Sequence, residues 1–265
     1  MSSLNNTLLS IYVSSTDKCD WLWDGFFFYF NKYWSDCPYD IYFGSETKEY
    51  HNGKVKSLTV GQMVPWGELT ITNIEKIPST YILLMLDDFF LEKEVDTNVI
   101  EAIASRTQEL GAKEVRLSEN HLPYGLSLSE VKDGFIDISH SKFFRVSLQI
   151  GIWEKNFLLS LLRKGETPWE FELYGSERFF DSDGAYFLKK QPFVIHFGGV
   201  AHQGYLERRF AKIMREDGLA IDPSHVMTRR LQVLKILEDL HNDLQLSKII
   251  PKRVKNGVKK NLRRN

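Results

Sequence analysis

Hydrophobic residues fall in short blocks separated by polar, turn-forming stretches, and the period of the blocks changes along the chain. Leu8-Leu-Ser-Ile-Tyr-Val13 is rich in β-branched and aromatic residues and predicts a first strand, closed by the polar turn Ser14-Ser-Thr-Asp-Lys18. Trp21 to Trp34 is aromatic at helical spacing, and Pro38 introduces a second strand over Tyr39–Phe43. A short strand at Leu58–Val60 precedes an amphipathic helix over Glu68–Ile77, with Leu69, Ile71 and Ile74 on its apolar side. Tyr81 to Leu86 is then an unbroken apolar run, the pattern of a strand buried on both faces.

Asp96 opens a helix carrying Val99, Ile100, Ile103 and Leu110 and stopped by Gly111. Lys113–Leu117 reads as a strand, Ser118–Ile138 as a variable loop or hairpin, and Phe143–Ile150 alternates as a strand. A helix is predicted over Trp153–Arg163, broken by Gly165, with a further element opening near Pro168. Phe193–Phe197 is a late strand, and Met227–Leu244 a last helix. This alternation predicts an α/β fold with a mostly parallel central sheet flanked by helices. The simplest division is one domain over 1–246 and a basic tail over 247–265. Open sheets of this kind bind ligands beyond the C-terminal ends of their strands, where Asp87 and Asp88 fall.

Composition is that of an ordinary globular chain, 43% hydrophobic and 26% charged with a formal net charge of -1. The near-neutral total hides a segment from Lys248 to Asn265 with eight Lys or Arg and no acid. Its interleaved apolar residues suit an anionic membrane surface or a solvated terminus, whereas the rest of the chain is not basic and nucleic acid is not expected. No long apolar run predicts a transmembrane helix, and the polar start Met1–Asn6 lacks the pattern of a signal peptide. A cytoplasmic protein, peripheral on the inner face of the membrane, is the expectation. Cys19 and Cys37 are too few and too scattered for a zinc site or disulfide framework.

Chemistry is carried by acids. Asp87 and Asp88 sit between two hydrophobic runs, where unpaired charge is costly, so a divalent cation, a basic partner or a cap on the next element must meet them. Glu166, Glu170 and Glu172 cluster about Trp169, where a carboxylate would accept a proton from an attacking hydroxyl and an indole would stack on a sugar. The same stretch reads equally as a helix start with Pro168 at its first position. The turn after the first strand suits a nucleotide or a helix cap, and Asp40 a base contact or the start of the second strand. Phosphate-loop, GxGxxG, GxSxG and HExxH patterns are missing.

Taken in order, Tyr12-Val-Ser-Ser-Thr-Asp17, Trp34-Ser-Asp-Cys-Pro-Tyr39, Tyr81-Ile-Leu-Leu-Met-Leu-Asp-Asp-Phe-Phe-Leu91, Gln149-Ile-Gly-Ile-Trp153, Pro168-Trp-Glu-Phe-Glu172 and Gly175-Ser176 resemble bacterial GT-A glycosyltransferases. The likeness is to the family-2-like enzymes of capsule and lipopolysaccharide clusters and covers about residues 8 to 205. It implies a nucleotide-sugar donor, Mn²⁺ or Mg²⁺, and a hydroxyl acceptor on a glycan or lipid-linked glycan. The DxD motif falls on Leu86-Asp-Asp88, with Asp88 as metal ligand and Asp87 nearer the donor, and with Leu in place of the first acid. The base falls on Glu172 or Glu170; Ser14, Asp17, Asp40 and Trp66 fall at the nucleotide side, and Gln149, Trp153 and Trp169 at the acceptor side. His196 or His202 would be a further metal or diphosphate ligand. The alternatives are a catalytically silent glycan- or nucleotide-binding protein and a metal-dependent phosphotransferase.

Overall fold

The computed structural model of the chain describes residues 8–117, 130–139, 145–179, 183–195 and 199–237. It divides into two compact units, Met1–Val200 and Ala201–Asn265. The basic tail, His196 and the far end of the last helix lie outside the described residues.

The first unit is built on a sheet whose strands are β1 (Leu9–Ser14), β2 (Ile41–Ser45), β3 (Val55–Thr59), β4 (Tyr81–Leu86), β5 (Glu114–Arg116), β6 (Glu130–Lys132), β7 (Phe135–Asp137), β8 (Gly151–Glu154) and β9 (Ala185–Leu188). Their spatial order is β3-β2-β1-β4-β8-β5-β9-β7-β6. All but β8 and β7 run in one direction, so the expected mostly parallel α/β sheet is what the chain forms. Helices α1 (Asp20–Tyr33), α2 (Trp66–Glu75), α3 (Thr97–Glu109), α4 (Lys155–Leu161) and α5 (Pro168–Arg178) flank it.

Burial follows the sequence pattern. β4 is packed on both faces, as its continuous apolar run requires, and β1 is buried equally with Ser10 among its apolar residues. α1 turns Leu22, Trp23, Phe26, Phe27 and Phe30 inward, and Trp23 meets Phe43 of β2 edge-on at 4.8 Å. α3 starts where Asp96 accepts the N–H groups of Asn98 and Val99, and it ends at Gly111 with φ +58°.

Several elements depart from expectation: β9 is a strand that the sequence pattern does not mark, and of the late strand expected from Phe193 the described residues form only a bridge at Ile195. Residues 145–150 are irregular, and the strand here is Gly151–Glu154, antiparallel to β4 with Gly151 opposite Leu84. The helix expected from Trp153 begins only at Lys155, because Glu154 accepts the N–H groups of Asn156 and Phe157 and caps it. Trp153 is thereby a strand residue opposite Ile82.

The second unit begins with a hairpin of β10 (Ala201–His202) and β11 (Tyr205–Leu206). Its turn, Gln203 at φ 51° and Gly204 at φ 80°, has both central residues in the left-handed region that tight hairpins use. Helix α6 (Arg208–Glu216) follows, burying Phe210, Ala211 and Met214, and residues 229–237 form a further helix.

Candidate active site

Strand order makes the site. β2 and β3 lie on one side of β1 and β4 on the other, so the chain reverses its direction of travel across the sheet between β1 and β4. In open sheets with this order the connections after two such strands diverge, and ligands bind in the crevice beyond their C-terminal ends. Ser14 ends β1 beside Leu86, which ends β4. Asp87 and Asp88 therefore emerge next to Ser14 and Ser15.

A short polar chain fixes Asp87 there. Its N–H donates to the Ser14 carbonyl at 3.2 Å. Ser15 Oγ donates to Asp87 Oδ2 at 2.5 Å while accepting from the Trp23 indole N–H at 2.6 Å. Because the indole is a donor only, it directs the serine proton toward the carboxylate. The Trp66 indole donates to Ser14 Oγ at 3.0 Å, so Trp66 is a buried support of this corner, packed on Phe171 at 5.5 Å. Ser15 was not singled out from the sequence; its adjacency to a strand end is the only signal there.

Asp88 is held differently. Its carbonyl accepts the N–H of Val200 at 2.8 Å, and its Oδ1 is buried without a hydrogen-bond partner. Gly199, at φ +82°, lies on the carboxylate: a Cβ there would stand 2.1 Å from Asp88 Oδ2. The segment that brings Gly199 over the acid is tied back by Glu92 N–H donating to Val194 O at 2.9 Å and by the Leu91–Ile195 bridge. Burial pushes Asp87 up to about 7, opposed by the Ser15 hydrogen bond. Burial and then the Asp87 charge push Asp88 well above the usual carboxylate range.

Asp17 does not face the crevice as an open ligand. Its carboxylate accepts the N–H groups of Glu46, Thr47 and Lys48 at 3.0–3.1 Å and the Thr47 hydroxyl at 2.5 Å. Burial works to raise its pKa, but these hydrogen bonds, led by Thr47, outweigh it and hold it below the ordinary value. Glu46 answers by accepting the Asp17 N–H at 2.5 Å. Together they fasten the loop after β2 to the turn after β1. Asp40 is a correction: it precedes β2, four residues back from Gly44 and thus roughly 13 Å from the site edge, and pairs with Lys56 at 2.8 Å. Glu46, buried just past the end of β2, is the acid the sequence reading missed, because it ended that strand at Phe43.

On the other flank, β8 brings residues 148–150 in from the edge where β4 ends. The Glu172 carboxylate accepts the Leu148 N–H at 2.7 Å and the Ser147 hydroxyl at 3.3 Å, tying α5 to this edge. Burial raises its pKa, opposed by those two bonds. Gln149 is partly buried and its Oε1 has no partner. Behind them lies a buried pair, Arg116 Nε donating to Glu114 Oε1 at 2.8 Å, with Glu114 pushed up to about 7 by burial against the Arg116 charge. Nothing in Lys113-Glu-Val-Arg-Leu117 distinguishes it from an exposed strand.

Three expected residues separate from this cluster in role. Trp153 is fully buried between β4 and β5, so it is a packing residue and no acceptor contact. Glu166 is gripped by both nitrogens of the Arg178 fork at 2.8 Å. Glu170 is exposed and closes a capping box with Thr167, whose N–H and hydroxyl it accepts at 2.9 and 2.8 Å. Trp169, beside it, is 80% exposed. Glu170→Ala, which removes the side chain that reaches back to Thr167, is expected to lower Tm by a few degrees and to leave any catalysis intact; calorimetry beside an activity assay checks both. His202 belongs to the second unit and lines a cavity there.

The raised acids set an unusual pH response. Asp87 and Glu114 titrate near 7 in the fold, with Asp88 and Glu172 also raised, but near 4 when unfolded. The folded state therefore takes up protons first, and stability rises as pH falls from about 8 towards 5. Asp17 acts oppositely, but only below the unfolded carboxylate range. Tm in metal-free buffer should be higher at pH 6 than at pH 8; a flat or reversed profile would contradict the described burial.

No protein-family model matches the chain, and no curated protein does. Solved structures with a similar chain path include TarS of S. aureus, residues 1–349, at 10% identity and TM-score 0.49, over 70% of this chain and 59% of that one. A second structure of S. aureus TarS is similar at 10% identity and TM-score 0.45, over 70% of this chain and 36% of that one. The bifunctional IspDF from Campylobacter jejuni is similar at 12% identity and TM-score 0.40, over 69% of this chain and 50% of that one. The chain thus spans between 36% and 59% of the length of these proteins.

Proposed function

We propose that this chain is a glycosyltransferase that moves a sugar from a nucleotide-diphosphate donor to a hydroxyl of a bacterial surface-glycan precursor. The observation that carries the reading is the pair Asp87–Asp88 at the β1/β4 crevice, with one buried carboxylate oxygen of Asp88 left without a protein partner. The acceptor class comes from the sequence resemblance alone.

An orphaned anionic oxygen beside a second carboxylate suits a divalent cation. No group of three or more potential ligands occurs among the described residues, so an Mg²⁺ or Mn²⁺ ion held by Asp87 and Asp88 would need the donor's own phosphates to complete its coordination. Asp88 and Asp87 would hold the ion, which supplies charge neutralisation to the departing diphosphate. Ser14, Ser15 and the Asp17-fastened loop form the nucleotide side. Of the two base candidates, Glu172 is preferred: Glu170 is committed to its cap, whereas partial burial has raised Glu172 towards the working range of a general base. In the transfer, the acceptor oxygen gives its proton to Glu172 and bonds to the anomeric carbon as the bond to the diphosphate oxygen breaks, with inversion. Gln149 and Trp169 flank the acceptor side.

Leu86 in place of the first acid of the motif favours a second reading, a nucleotide-binding protein without turnover. Thermal shift with nucleotide diphosphates and nucleotide sugars, each with Mn²⁺ and with chelator, separates them. Saturation a hundredfold above Kd adds about 2.7 kcal/mol, roughly 5–10 °C for a unit of this size. A metal-dependent shift for one nucleotide with slow donor hydrolysis supports transfer. A shift without hydrolysis or transfer supports the silent binder, and no shift with any nucleotide overturns both.

A further inference from the structure

The 229–237 helix of the second unit leaves most of its apolar residues outside. Of its half-buried positions Leu231 is apolar and two are polar: Gln232 accepts the Arg208 N–H at 3.3 Å, and Lys235 lies 3.2 Å from the Glu207 carboxylate. Val233, Leu234, Ile236 and Leu237 face outward and are 54, 51, 50 and 56% exposed. At 3.6 residues per turn these four cover an arc of roughly 160°. A cavity of about 310 Å³ opens beside the same helix, lined by His202, Tyr205, Met227, Leu231, Leu234 and Lys235. Large apolar faces of this kind mark contact surfaces.

Charge selects what covers it. Residues 201–265 carry fifteen Lys or Arg against seven Asp or Glu, while residues 1–200 carry nineteen against twenty-eight. Within the described residues 201–237 the excess is seven Lys or Arg against four Asp or Glu, so the described part of this unit is cationic. Arg229 and Arg230 stand exposed at the start of the helix, and Arg208, Arg209, Lys212 and Arg215 are exposed on α6. A second copy of this surface would bring like charges together, whereas an anionic lipid layer satisfies both features. Its acyl boundary takes the apolar arc and its headgroups take the cations. Nine described residues span roughly 13 Å, which suits a helix lying in the interface, and no described helix is long and apolar enough to cross a membrane.

We propose that the 229–237 helix is an interfacial anchor that lays Val233, Leu234, Ile236 and Leu237 into an anionic lipid surface. The proposal is independent of the reaction assigned to the first unit.

The test is co-sedimentation of the full chain with phosphatidylcholine vesicles, with and without phosphatidylglycerol. Binding is expected only with phosphatidylglycerol present and should weaken as salt rises. Leu234→Ser/Leu237→Ser should lower the partition coefficient about 100-fold, from roughly tenfold per buried leucine, with circular dichroism and Tm unchanged because both side chains are exposed. Arg229→Glu/Arg230→Glu, which keeps the apolar arc, should reduce binding and flatten its salt dependence. Full binding by the leucine variant, or no binding by the unaltered chain, overturns the proposal. So does a dimer in sedimentation velocity that the leucine variant dissolves while neither protein binds vesicles, since the face would then belong to a second copy.

Discussion

Asp88→Asn is expected to abolish the proposed transfer and at the same time to make the unliganded protein more stable. The carboxylate is held in a site where burial and the neighbouring Asp87 oppose its ionisation, and its Oδ1 has nothing to meet. Removing the charge removes that penalty, so Tm at pH 8 should rise and the pH dependence of stability should shrink. The same change deletes an anionic oxygen from the pair proposed to hold the cation against the diphosphate. A loss of about 10³-fold or more in kcat/KM is expected, equivalent to about 4 kcal/mol of transition-state stabilisation. The metal-dependent part of any donor-induced thermal shift should vanish with it. Stabilisation without loss of activity would show that Asp88 is strained but not employed; loss of both would mean that it is structural.

Gly199→Ala will act on the same group from outside. At φ +82° the backbone is in the region that L side chains avoid, and the new Cβ would stand 2.1 Å from Asp88 Oδ2 and 2.5 Å from its Cγ. Nothing flexible intervenes, so either the Gly199–Val200 segment lifts or the carboxylate swings away. Lifting breaks the 2.8 Å hydrogen bond from Val200 to the Asp88 carbonyl. Strain and lost contact together should cost about 2–3 kcal/mol of stability. Displacing by an ångström an oxygen proposed to hold the metal should lower kcat about 100-fold. The diagnostic measurement is the Mn²⁺ concentration for half-maximal activity, which should rise in Gly199→Ala. An unchanged metal requirement would separate the loop from the site.

The core of the sheet was legible because β4 is an uninterrupted apolar run and β1 is rich in β-branched and aromatic residues, and the acids at the end of β4 follow directly. The far wall was not. Gly151-Ile-Trp-Glu154 is a four-residue strand that passes into α4 without a break, and the helical spacing of Phe157, Leu158 and Leu161 extends backwards over it. Its place beside β4 is a non-local pairing, and only that pairing buries Trp153. Asp40 stands near the start of β2 in either reading, and its place at the nucleotide side came from the resemblance; the two-residue shift of the strand, from Tyr39–Phe43 to Ile41–Ser45, is what hid Glu46. Glu170 and Glu172 are two residues apart in one helix. Local sequence supports the capping role of the first, but only the approach of residues 147–148 reveals what the second touches.

The clamp formed by Asp17 has a consequence for the kinetics of recognition. Three successive backbone amides of the loop after β2 are already spent on one carboxylate, so their conformational entropy is lost at folding and not at encounter. A loop of this kind gains little by closing around a ligand. Association there should run at the rate set by diffusion and orientation, and discrimination between ligands should appear in how long each one stays.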